Sequence, residues 1–154
     1  YKVDVTRKAA TAFDHKKLQI SGNYINGFSI GEKVSSVLKS MSVTNGTLKV
    51  LNSSKKEKKS TDIIATGDYI TVYDADGKVF KQYQAVLYGD VDGDGEVNIF
   101  DHTEVKIHCW YTPSLTGAYL EAANVDTSSE GVDIFDMVEI KIYMWYNGTI
   151  KQTR

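Results

Sequence analysis

The chain has 154 residues, 18 Lys and Arg against 20 Asp and Glu, and a formal net charge of −2. No stretch approaches a membrane span, and a lone cysteine, Cys109, excludes an internal disulfide. The charge is unevenly spread: residues 1–88 carry fourteen basic against eight acidic side chains and residues 89–154 carry four against twelve, so +6 is joined to −8. Such asymmetry predicts two modules, 1–88 and 89–154, with different tasks, each small for a core that must stabilise it alone. An opening at Tyr1 rather than Met is expected of a piece of a longer protein, so a missing secretion signal carries no weight.

In chain order, residues 1–14 read as a linker or as a strand pairing into the downstream sheet. Leu18-Gln19-Ile20 and Tyr24-Ile25 read as strands around a turn at Ser21-Gly22-Asn23. From Gly31 to Met41 the spacing predicts a helix with Val34, Val37, Leu38 and Met41 on one face. Further strands are expected at 48–51, 62–65, 69–73 and 79–88. They are joined by Asn45-Gly46, a solvated basic loop from Lys55 to Lys59, and a hairpin turn at Asp74-Ala75-Asp76-Gly77. One helix laid across a small sheet buries this pattern. The last strand runs into Gly89-Asp90 without a Pro-, Ser- or Thr-rich linker, which predicts that the two parts move as one body.

Residues Asp90 to Asp101 place oxygen donors in the register of an EF-hand calcium loop. Asp90, Asp92 and Asp94 take positions 1, 3 and 5, Gly95 the turn at 6, and the carbonyl of Glu96 position 7. Asn98 takes the water-linked position 9 and Asp101 position 12, where Glu is usual. Four carboxylates this close repel one another unless a cation joins them. The pattern then returns: residues 98–111 align without gaps on 133–146, and Ile, Phe, Asp, Glu, Lys, Ile, Trp and Tyr recur in both copies. Repeats of this kind bury faces against each other. The second loop needs a one-residue insertion, with Asn124, Asp126, Ser128 or Ser129, the carbonyl of Glu130 or Gly131, Asp133 and Asp136 as its donors. Fewer carboxylates and no Gly at position 6 predict weaker binding there.

Two calcium loops, each followed by one helix and lacking the entering helix of a full EF-hand, resemble a dockerin over residues 88 to about 150. The upstream part looks like the small X modules that precede dockerins. The fold this implies is an α+β N-terminal module, one helix on a small sheet, followed by an all-α dockerin holding two Ca2+ ions. The function it implies is non-catalytic docking onto a cohesin module of a scaffoldin, in a secreted or cell-surface bacterial complex such as a cellulosome. Nucleic acid and membrane insertion are not expected. By position, the resemblance assigns cohesin contacts to Ile99, Phe100, Lys106, Ile107 and Tyr111, and to Ile134, Phe135, Lys141, Ile142 and Tyr146. Many dockerins carry small hydroxyl residues where this chain has Ile-Phe, which implies a more apolar interface. The isoleucines and the duplicated Trp110 and Trp145 are expected in the core, and the phenylalanines outside as anchors.

Three other functions compete with docking. No nucleophile–base set or pair of catalytic acids supports an enzyme, and His15, His102 and His108 lack the partners that such chemistry needs. A sugar-binding role, placed in residues 1–88, competes as well; the tyrosines and Trp110 or Trp145 could stack on sugar rings, but core packing explains the duplicated tryptophans better. A calcium sensor needs paired helix-loop-helix units that open, whereas each unit here shows one helix.

Overall fold

A computed structural model describes residues 10–154. Alternating and β-branched stretches form strands β1 (Ala12–Asp14), β2 (Gln19–Ser21), β3 (Tyr24–Asn26), β4 (Ser42–Thr44), β5 (Gly46–Leu51), β6 (Tyr69–Asp74) and β7 (Val79–Ala85). Helices are α1 (Val34–Ser40), α2 (Ile99–Trp110), α3 (Gly117–Ala123) and α4 (Ile134–Tyr146). Strands β1 and β4 make a two-stranded antiparallel ribbon. The other five form one sheet in the order β2-β3-β7-β6-β5, mixed because β3 runs parallel to β7. Among the described residues no helix is long and apolar enough to cross a membrane.

Two apolar cores meet along the chain segment that leaves β7. Ala85 and Leu87 lie in one core with Ile25, Phe28, Val34, Val37, Ile64 and Ile70. Val86 and Tyr88 lie in the other with Val105, Ala118, Ala122 and Ile140. Extended backbone sends successive side chains to opposite sides, so four residues serve both cores and weld them.

This welding overturns the expected fold class. The described chain is a mixed α/β structure of seven strands in two sheets and four helices, not an α+β module followed by an all-α one. Its helical end is built on Tyr24, Val86 and Tyr88, which the strand-rich half supplies. Other corrections are local. Residues 62–65 form a loop with a single bridge, Ile63 to Lys33, rather than a strand. Helix α3 is an addition to the expected elements; it runs into Asn124, so the second loop does have an entering helix. Residues 1–9 of the N-terminal linker reading lie outside the described residues, while Ala12–Asp14 pair with β4.

Helices α2 and α4 start alike. Asn98 and Asp133 accept the N–H of Phe100 and Phe135 at 2.8 and 2.7 Å, and Asp101 and Asp136 complete a capping box at each. The repeat also buries equivalent positions: Val105 with Ile140, and Asp101 with Asp136, are fully buried.

Candidate metal centre

The first loop brings Asp90, Asp92 and Asp94 together, with ligand oxygens all within 4.8 Å of one another. Asp90 is fully buried, whereas Asp92 and Asp94 face solvent. Each carboxylate is held by backbone donors: Gly93 N–H on Asp90 Oδ1 at 2.9 Å, Asp94 N–H on Asp92 Oδ1 at 3.1 Å, and Glu96 N–H on Asp94 Oδ1 at 2.8 Å. Burial pushes the Asp90 carboxyl up to about 7 and raises that of Asp92, on which the Asp94 charge also acts. A buried carboxylate close to two others is a site that a hard divalent cation stabilises.

The rest of the expected donor set does other work. Asp101, also buried and pushed up to about 6 by that burial, accepts Val91 and Asp92 N–H through Oδ1 at 2.6 and 3.1 Å. Its Oδ2 accepts Asn98 N–H at 2.7 Å. It ties the two ends of the loop and stands outside the close trio. The Asn98 amide gives its oxygen to the helix cap, and its Nδ2 donates to Asp94 Oδ2 at 3.2 Å. Glu96 is exposed. The three close carboxylates fit an all-oxygen cation of the calcium type, with Asp101 bracing the loop behind them.

The loop is also wedged against the sheet-bearing half, which the sequence did not announce. Asp90 Oδ2 accepts Thr66 N–H at 2.7 Å, and Gly31 N–H donates to the Gly95 carbonyl at 3.0 Å. Gly95 has φ of +87°, and a Cβ there would meet the Ile64 carbonyl and Ile63 Cγ2 at 2.7 Å. Thr66 is itself fixed: its Oγ1 accepts Leu87 N–H at 3.0 Å and donates to the Leu87 carbonyl at 3.2 Å. Behind it Lys58 pairs with buried Asp68 at 2.7 Å, so part of the expected solvated basic loop is a brace. Lys55 adds a second anchor, 3.5 Å from the Tyr69 ring.

The second loop keeps the register with different chemistry. Asp136 Oδ1 accepts Asp126 N–H and its Oδ2 accepts Asp133 N–H, both at 2.7 Å, as Asp101 does in the first loop. Ser128 N–H donates to Asp126 Oδ1 at 3.2 Å, matching the Asp94–Asp92 bond, so the extra residue falls after Ser128. Asn124 therefore stands where Asp90 does, and Ser128 where Asp94 does. The Ser128 hydroxyl donates to Asp126 Oδ2 and holds the Asp126 carboxyl below its usual range, helped by the charge of Arg154. Glu130 is exposed, and Asp133 serves as the α4 cap. Among the described residues no acidic trio forms here.

The residues assigned to a partner form a repeated outer face. Phe100 and Phe135 are exposed, as are Tyr111 and Tyr146 and Lys141; Lys106 and Ile107 are half-buried. The core expectation fails for Ile99 and Ile134, at 50% and 45% exposure, and Ile142 also reaches the surface. It fails for Trp110 and Trp145 as well, both exposed. The reason is angular. Asp101 and Val105 mark the inward side of α2, and at 100° per residue Ile99 and Trp110 lie roughly 160–200° from Asp101, on the far side. Lys106 Nζ rests 5.6 Å from the Trp110 ring.

No family model matches the chain, and no curated protein or solved structure matches it either.

Proposed function

We propose that this chain is a calcium-dependent, non-catalytic docking unit that attaches its parent protein to a cohesin module of a scaffoldin in an extracellular bacterial complex. The observation that carries the reading is the repeat of surface aromatics at equivalent positions. Phe100 matches Phe135, Trp110 matches Trp145, and Tyr111 matches Tyr146, all exposed, on helices whose inward positions are equally matched. Large aromatics kept in water at matched positions have no folding role and are the side chains that interfaces use as anchors. The first loop supports the metal dependence. Asp90, Asp92 and Asp94 hold the ion, whose positive charge offsets theirs. The loop leads straight into α2, so its order sets where Ile99 and Phe100 stand.

The experiment is a binding screen by calorimetry against a panel of cohesins, in calcium and in chelator. Binding to at least one cohesin in calcium, lost in chelator, is expected. Equal binding in chelator removes the metal from the reading, and silence across the panel removes the partner.

A further inference from the structure

We propose that the second loop is closed by an internal cation, the Arg154 guanidinium, and that the chain accordingly takes up one Ca2+ ion, at the first loop. The inference rests on the calcium reading of that first loop and departs from the two ions that a duplicated motif implies.

The donor chemistry differs at the positions that matter. Positions 1, 3 and 5 are Asp90, Asp92 and Asp94 in the first loop, a charge of −3, and Asn124, Asp126 and Ser128 in the second, a charge of −1. Three clustered negative charges favour a divalent ion. One is matched by one guanidinium. The remaining acids of the second loop do not restore the deficit, since Asp133 caps α4 as Asn98 caps α2 and Asp136 ties the loop's ends as Asp101 does in the first.

Arg154 is placed to be that cation. Its Nη1 donates to Asn124 Oδ1 at 3.3 Å, on the first donor position itself, and its charge acts on the Asp126 carboxylate. The guanidinium lies 4.4 Å from the Tyr88 ring, and its Nε and Nη2 are buried without a hydrogen-bond partner. A guanidinium with unfilled donors gains from nearby negative charge, which the loop offers in Asp126. The backbone holds it there. Gln152 brackets Tyr88, accepting its N–H at 2.9 Å and donating to its carbonyl at 2.7 Å, and Asn26 bonds both the N–H and the carbonyl of Arg154 at 3.5 and 3.4 Å.

Native mass spectrometry and calorimetry of the full chain with calcium alone test the count. One ion is expected, and Asp92→Ala is expected to remove it. Two ions on the native chain, or a single ion that survives Asp92→Ala, overturns the proposal. No ion at all defeats the calcium reading on which it stands. Hydrogen exchange of residues 125–132 without calcium then tests Arg154 separately from metal binding. In Arg154→Ala these amides should exchange about tenfold faster or more, as loss of a buried charged partner implies. Arg154→Lys, which keeps the charge, should recover part of the protection. Unchanged exchange in Arg154→Ala shows that the loop does not depend on the guanidinium and overturns its role.

Discussion

The two loops share one sequence pattern and one hydrogen-bond scaffold, yet they sit in opposite surroundings. The first is wedged between the sheet and the helices, where Thr66, Gly31 and Ile64 press on it and a Cβ at Gly95 has no room. The second is open at its tip, where a Cβ at Gly131 would meet nothing within 4 Å, above a buried Asp136. A repeated motif therefore keeps its local geometry through bonds it carries with it, while its chemistry is set by what packs against it. Burial of Asp90 makes charge costly at the first position of the first loop without a cation, whereas the second loop carries the neutral Asn124 there.

The largest break in this contrast should come from the carboxylates. Asp92→Ala should abolish the calcium-dependent rise in unfolding free energy, about 4 kcal/mol at a thousandfold excess over Kd, while Asp126→Ala should leave that rise unchanged. Thermal unfolding with calcium and with chelator measures both. Next, Gly95→Ala should cost roughly 3 kcal/mol, because a left-handed backbone and a closed wall oppose the new methyl, whereas Gly131→Ala should cost about 1 kcal/mol from the backbone alone. Denaturant titration separates the two, and equal losses would erase the wedge. Thr66→Ala, which strips the buried Leu87 N–H and carbonyl of their partner, should cost about 1–3 kcal/mol by the same titration, and it should loosen the first loop while leaving the second untouched. The smallest effects concern the outer face. If either copy of the repeat can meet the proposed cohesin partner, Phe100→Ala and Phe135→Ala should each weaken binding by only about 0.4 kcal/mol, the loss of one of two equivalent modes. The double change should cost ~2 kcal/mol or more. A single change that alone ends binding in calorimetry would mean one fixed orientation.

The first loop is legible in the sequence because its three close carboxylates, its tight Gly and its helix cap are neighbours along the chain. The repeat is legible for the same reason, since Asn98 to Tyr111 and Asp133 to Tyr146 align residue on residue. What presses on the loop is not, because Thr66 reaches Asp90 across 24 positions and the run Asp62-Ile63-Ile64-Ala65 looks the same whether it is a strand or a buried loop. Helix α3 is hard to read because its seven residues, mostly small, show only two turns of pattern. Residue type alone misplaces the tryptophans. Counting turns from Asp101 and Val105 places Trp110 outside, and that signal is in the sequence. The fold class fails at Ala85 to Tyr88, whose alternation reads as one strand of one module while it feeds two cores.

The tail bonds have a consequence for the order of assembly. Gln152 meets Tyr88 across 64 positions and Arg154 meets Asn26 across 128. Closing loops that long is slow, because chain entropy is spent before any contact forms. On the ribosome the sheet can form while the helices are still being made, but the latch across both cores waits until residue 154 has emerged. The tail's latch is therefore the last of these contacts to close, and a nascent chain passes through a stage with its sheet complete and the latch still open.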